Sequence, residues 1–190
     1  MPYVLIVARG GGKSTSAELS AALAGITKRR KYAIYVCSVQ DQADKHVSTI
    51  ASMLESASVN RAVNRYGSSR GWRRNRLVTE NEFIVDALGL DTASRGIKFD
   101  EIRPDLIILD DVDGRHDSAA ATQKKIETIT ETILPSGSND CAVLGIQNIV
   151  HSDSVFARLA DGRADFLNDR IISGAHKAVN GLQYEARAGR

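Results

Sequence analysis

The stretch that most constrains how this 190-residue chain can fold is its beginning. An aliphatic run, Tyr3-Val4-Leu5-Ile6-Val7, leads into Gly10-Gly11-Gly12, and Lys13-Ser14-Thr15 follows at once. A continuous β-branched and aliphatic run reads as a strand covered on both faces, the kind found in parallel sheets. The residues from Lys13 to about Ala24 are mostly good helix formers, and Gly25 suits the end of that helix. Strand, glycine loop and helix in this order form a cradle for a phosphate chain. Glycines let backbone amides approach an anion closely, and the helix start adds its positive end. In such a loop Lys13 reaches the β- and γ-phosphates and the Ser14 hydroxyl serves Mg²⁺. The loop departs from the strict spacing at one position, where Val7 stands in place of the early glycine.

Further along, Ala33 to Ser38 reads as a second buried strand, and Asp41 is placed to cap a helix running to about Glu55. Ala43, Val47, Ile50 and Leu54 share the apolar face of that helix. Arg76–Thr79 and Phe83–Leu88 read as two short strands of a hairpin around Glu80-Asn81-Glu82. Leu106-Ile107-Ile108-Leu109 is another buried strand. A helix spans about Ala119 to Leu134 and is stopped by Pro135. Cys141 to Gly145 reads as a strand, Ser154 to Ala160 as a short helix, and Arg170 to Gly174 as a last strand. Strands alternating with helices define an α/β class with a mainly parallel sheet and an inserted hairpin, in one domain over residues 1–190.

Composition excludes several classes. No apolar run is long enough to cross a bilayer, and the start lacks a basic segment before its short apolar run, so neither membrane insertion nor secretion is expected. The two cysteines, Cys37 and Cys141, lack paired-ligand spacing and read as free buried thiols. Net charge is +2, but its distribution is uneven. Between Glu55 and Glu80 stand Arg61, Arg65, Arg70, Arg73, Arg74 and Arg76 with no acid among them, a block that either faces a polyanion or forms a solvated surface.

The strand Asp105-Leu106-Ile107-Ile108-Leu109 ends in Asp110-Asp111, with Asp113 two residues on. A carboxylate at the C-terminal end of a strand in a parallel sheet lies beside the phosphate loop. Asp110 is the candidate Mg²⁺ holder, and Asp111 the candidate base that positions an attacking water, with Asp113 as its rival. At the end of the following strand, Gln147 or Asn148 is placed to sense the γ-phosphate.

Taken in order, these pieces resemble the ATPase domain of the large terminase subunit of tailed bacteriophages. The loop Arg9-Gly10-Gly11-Gly12-Lys13-Ser14 resembles that family's divergent phosphate loop with its early arginine. Ser38-Val39-Gln40-Asp41-Gln42-Ala43 resembles its helicase-like second motif. Trp72, Ala87-Leu88-Gly89 and Ser94-Arg95-Gly96 resemble its middle region. Arg103-Pro104-Asp105 through Asp111 is the most specific stretch, and Gly145 to Leu159, with His151-Ser152-Asp153-Ser154, resembles the motif coupling hydrolysis to movement. The family usually has threonine after the glycine of that motif, where this chain has Ile146.

The resemblance implies a P-loop NTPase fold of the RecA/ASCE-like kind, with ATP and Mg²⁺ as cofactors. It implies Gly10 to Thr15 as nucleotide-binding residues, Ser14 and Asp110 as metal residues, and Lys13, Arg9, Asp111 and Gln147 as catalytic ones. Implied partners are double-stranded DNA, a portal protein, a small terminase subunit and further copies of the chain in a ring, all in the host cytoplasm. Arg95 or Arg103 is the implied arginine lent to a neighbouring subunit. The family's C-terminal nuclease has no counterpart before Arg190, so DNA cleavage is not expected. Two other readings stay open: a different DNA-dependent P-loop ATPase of helicase type, and a nucleotide-binding module with little turnover.

Overall fold

A computed structural model describes residues 2–8, 10–62, 75–92, 102–167 and 171–173. The strands are β1 (Pro2–Ile6), β2 (Tyr32–Cys37), β3 (Arg76–Val78), β4 (Ile84–Gly89), β5 (Leu106–Asp110), β6 (Ala142–Gln147) and β7 (Ile171–Ser173). They form one sheet in the order β3-β4-β2-β5-β6-β1-β7. Every neighbouring pair is parallel except β3 with β4, the antiparallel hairpin at one edge.

Alternation along the strands separates two apolar layers. From β2, Ala33, Tyr35 and Cys37 face α1 (Lys13–Ile26) and α2 (Gln40–Ser56), where they meet Ala17, Ala21, Val47, Ile50 and Leu54. Tyr32, Ile34 and Val36 point the other way. There they pack with Ile107 and Leu109 of β5, with Ile129 and Ile133 from the segment after it, and with Phe156 and Leu159 of α5 (Val155–Asp161). Strands covered on both faces need apolar residues at every position, which is why β2 and β5 read as continuous runs. Burial pushes both thiols up, Cys141 to about 11.

The structure corrects four expected boundaries. Gly25 lies inside α1, not at its end. A Cβ there would come within 2.3 Å of the Phe83 ring, so the glycine is needed for close packing of helix on hairpin. Asp41 sits in the first turn of α2 and does not cap it; the residue before the helix is Val39, which offers no side-chain cap. The helix after β5 extends past the expected stop. Following α3 (Ala119–Thr128), residues Ile129–Ile133 form a wider π-helical turn, and α4 (Leu134–Ser136) completes the segment, with Pro135 accommodated in its first turn. The strand expected to end at Gly145 continues to Gln147.

Candidate functional site

The carboxyl ends of three adjacent strands converge. Ile6 of β1 is in register with Gln147 of β6, and Ile146 of β6 with Asp110 of β5. The glycine loop therefore leaves the sheet at the edge where Asp110 and Gln147 stand, the edge where open parallel sheets bind ligands.

Gly10 and Gly12 adopt left-handed conformations, with φ of 84° and 67°, which a side chain would oppose. Gly12 precedes α1 without any side-chain cap, and the first turn contains no acid. The first amides of a helix have no partner within it, so this end offers donors and positive potential to an anion. Lys13 is mostly buried, and its Nζ lies 3.4 Å from the Ala8 carbonyl oxygen, folded back over the loop. Arg9 lies outside the described residues.

Asp110 is fully buried at the end of β5. Its Oδ2 accepts a hydrogen bond from the Tyr35 hydroxyl at 2.7 Å, and its Oδ1 has no hydrogen-bond partner among the described residues. Burial pushes this carboxyl up, while hydrogen bonding from Tyr35 and from the Ser14 side chain pulls it down. An unpartnered buried carboxylate oxygen beside a hydroxyl forms a hard-oxygen pair suited to Mg²⁺, which takes few protein ligands and completes its shell with water and phosphate. No group of three or more acidic, histidine or cysteine side chains that could enclose a metal occurs among the described residues.

Asp111 and Asp113 differ in environment. Asp111 has a left-handed backbone, φ 48°; its carbonyl accepts from the Ser38 amide, and its Oδ2 accepts from Gln42 Nε2 at 3.4 Å. It is only partly buried, at the site edge. Asp113 is buried, and both its oxygens are committed: Oδ1 accepts from the Val155 amide at 2.7 Å and Oδ2 from the Phe156 amide at 3.2 Å. It therefore satisfies the first turn of α5.

Gln147 is buried, and its Oε1 has no hydrogen-bond partner among the described residues. Its carbonyl receives the Val7 amide, which ties the end of β6 to the start of the loop. His151 Nε2 is likewise buried and unpartnered among the described residues. Ser154 caps α5 by accepting from the Ala157 amide, and Arg158 grips Asp153 through Nε at 2.9 Å and Nη2 at 2.8 Å. The segment resembling a coupling motif is thus tied to the acid strand through Asp113.

Three site neighbours were missed by the sequence reading, Glu18, Tyr35 and His46, while Gln42 lies in the segment that resembles the second motif. The signal was present in the spacing. Glu18 follows Ser14 by one helical turn, and His46 follows Gln42 by one turn, so each pair shares a helix face.

Other expected residues lie elsewhere. Arg103 precedes β5, at the opposite end of that strand from Asp110, and its Nη1 donates to the Pro135 carbonyl at 3.4 Å. Arg76 does not face solution: it forms a two-bond pair with Asp86 on the hairpin. Arg61 pairs with Glu55 at 2.6 Å. Arg65, Arg70, Trp72, Arg73, Arg74, Ser94, Arg95 and Gly96 lie outside the described residues. No described helix is long and apolar enough to cross a membrane.

No protein-family model and no curated protein matches the chain. Solved structures do. A point-mutant form of the Thermus phage P74-26 large terminase ATPase domain superposes with a TM-score of 0.55 at 17% identity, over 78% of this chain and 60% of that one. The unmutated domain superposes with a TM-score of 0.53 at 17% identity, over 77% and 59% respectively. The match thus spans about three-fifths of the length of each of these structures. At this identity the likeness is one of fold: the chain has the α/β fold of a large terminase ATPase domain.

Proposed function

We propose that the chain hydrolyses ATP with Mg²⁺ and that hydrolysis drives double-stranded DNA into a viral procapsid. The observation that carries the ATPase reading is the convergence of the Gly10–Thr15 loop, Asp110 and Gln147 at the carboxyl ends of β1, β5 and β6. The packaging role rests on the fold shared with terminase ATPase domains and on the motif order. The remaining parts of the reading follow from it: a ring of subunits on a portal, a small terminase subunit as partner, and the host cytoplasm as compartment.

The loop amides and the start of α1 hold the phosphate chain, and Lys13 turns from the Ala8 carbonyl toward the β- and γ-phosphates. Ser14 and Asp110 would hold Mg²⁺, which would supply positive charge to offset that developing on the phosphates. Asp111 orients the attacking water and accepts its proton; Asp113 cannot do so while both its oxygens hold α5. Gln147 lies beside the start of the loop, and its side-chain amide N–H is the donor that serves as the sensor of the γ-phosphate. Arg9 supplies a further charge from the loop, and Arg95 or Arg103 acts on a neighbour's site.

The test is ATP hydrolysis with Mg²⁺ by wild type, Lys13→Ala and Asp111→Asn, with and without double-stranded DNA. Turnover is expected in wild type, a loss of at least about a hundredfold in each variant, and stimulation by DNA. Binding without turnover would leave a nucleotide-binding module, and absence of ATP binding would remove the reading altogether.

A further inference from the structure

Asp110 is gripped from one side only. Its Oδ2 receives the Tyr35 hydroxyl at 2.7 Å and has His46 Nε2 at 3.8 Å, whereas Oδ1 has no hydrogen-bond partner among the described residues. The two rings that converge on Oδ2 hold each other: Tyr35 and His46 stack with centroids 4.8 Å apart and planes inclined by 20°. The far side of the imidazole is anchored as well. His46 Nδ1 lies 2.7 Å from Glu18 Oε1, and since a carboxylate only accepts, Nδ1 carries the hydrogen. Glu18 stands one turn beyond Ser14 on α1, so the chain of contacts runs from the phosphate-loop helix through α2 and β2 back to β5.

We infer that Tyr35 is a positioning residue that fixes the Asp110 carboxyl through Oδ2 and keeps Oδ1 available to the magnesium ion, and that His46, braced by Glu18, positions it in turn by stacking on the Tyr35 ring. The inference rests on the ATPase reading above and adds to it. A hydroxyl donor on a ring stacked against His46, itself held at its Nδ1 edge by Glu18, leaves the carboxyl little freedom to rotate. Residues that orient a metal-holding group in this way commonly alter metal affinity by about 10- to 100-fold when removed.

The experiment measures binding of a fluorescent non-hydrolysable ATP analogue as Mg²⁺ is titrated, for wild type, Tyr35→Phe, His46→Gln and Glu18→Gln, alongside the same measurement in EDTA. Nucleotide affinity in EDTA is expected to match wild type, because the loop is untouched. The Mg²⁺ concentration for half-maximal enhancement is expected to rise about tenfold or more in Tyr35→Phe and by less in His46→Gln and Glu18→Gln. An unchanged Mg²⁺ midpoint in folded Tyr35→Phe overturns the inference while leaving the ATPase reading in place. Should Tyr35→Phe not fold, the same outcome in His46→Gln overturns it. Failure of wild type to bind nucleotide in either condition overturns both.

Discussion

Asp111 and Asp113 show what a single residue can and cannot reveal in sequence. Both follow the same buried strand, and spacing alone gives either one access to the site. The choice is made by an element forty residues later, when α5 arrives with its first amides unsatisfied and takes both oxygens of Asp113. Asp113→Ala is therefore expected to act on stability. It leaves two buried amides without acceptors, a loss of about 2 kcal/mol, read as a fall of about 4–8 °C in the thermal midpoint. Asp111→Asn is expected to leave that midpoint nearly unchanged while removing turnover. Equal stability losses in the two variants would mean that the assignment of cap and base is wrong. The placement of Gly12 at the end of the loop and Lys13 at the start of α1 was legible because it is set locally. Tyr35 was not, because it looks like any aromatic in a buried strand until the register places Val36 beside Leu109, and with it Tyr35 within reach of Asp110.

At the scale of elements, the hairpin was legible and its interior was not. Glu80-Asn81-Glu82 marks the turn between β3 and β4, but the sequence offers Arg76 as one of a run of arginines available to a polyanion. In the structure Arg76 stands directly opposite Asp86 across the two strands. Its Nε and Nη2 donate to that carboxylate at 2.5 and 2.6 Å, and the Tyr32 hydroxyl donates to the same group at 2.6 Å. A largely buried charge pair of this kind fixes which faces of the strands meet, since a slip of one residue would strand both charges. Removing one partner is costly: Asp86→Ala is expected to destabilise the chain by about 3 kcal/mol in urea unfolding. The double variant Arg76→Met, Asp86→Leu is expected to recover a large part of that loss, because it strands no charge. A double variant less stable than Asp86→Ala would show that the pair is not what holds the hairpin. The helix after β5 was misjudged for a related reason. Proline signals a stop, but the π-helical turn before it lets Ile129 and Ile133 both face the core, and packing there outweighs local preference.

At the scale of the whole molecule, the alternation of strands and helices was readable, but the strand order was not. Insertion of β6 between β1 and β5 depends on pairings between segments distant in sequence, and that insertion brings Gln147 between the loop and Asp110. The site therefore draws on three central strands and on both helices of one layer, so a nucleotide bound there contacts much of the fold at once. A ligand that binds only the folded state stabilises it by about 2.7 kcal/mol when present at one hundred times its dissociation constant. For a chain of this length that corresponds to a rise of roughly 5–10 °C in the thermal midpoint. ATP with Mg²⁺ is expected to produce such a rise in wild type, and Lys13→Ala to abolish it. Asp111→Asn is expected to retain the rise, because a residue that positions water need not hold the nucleotide. This pattern would separate binding from catalysis without measuring turnover. Loss of the shift in Asp111→Asn, with its own midpoint intact, would instead make Asp111 part of the binding site and return the role of base to another group.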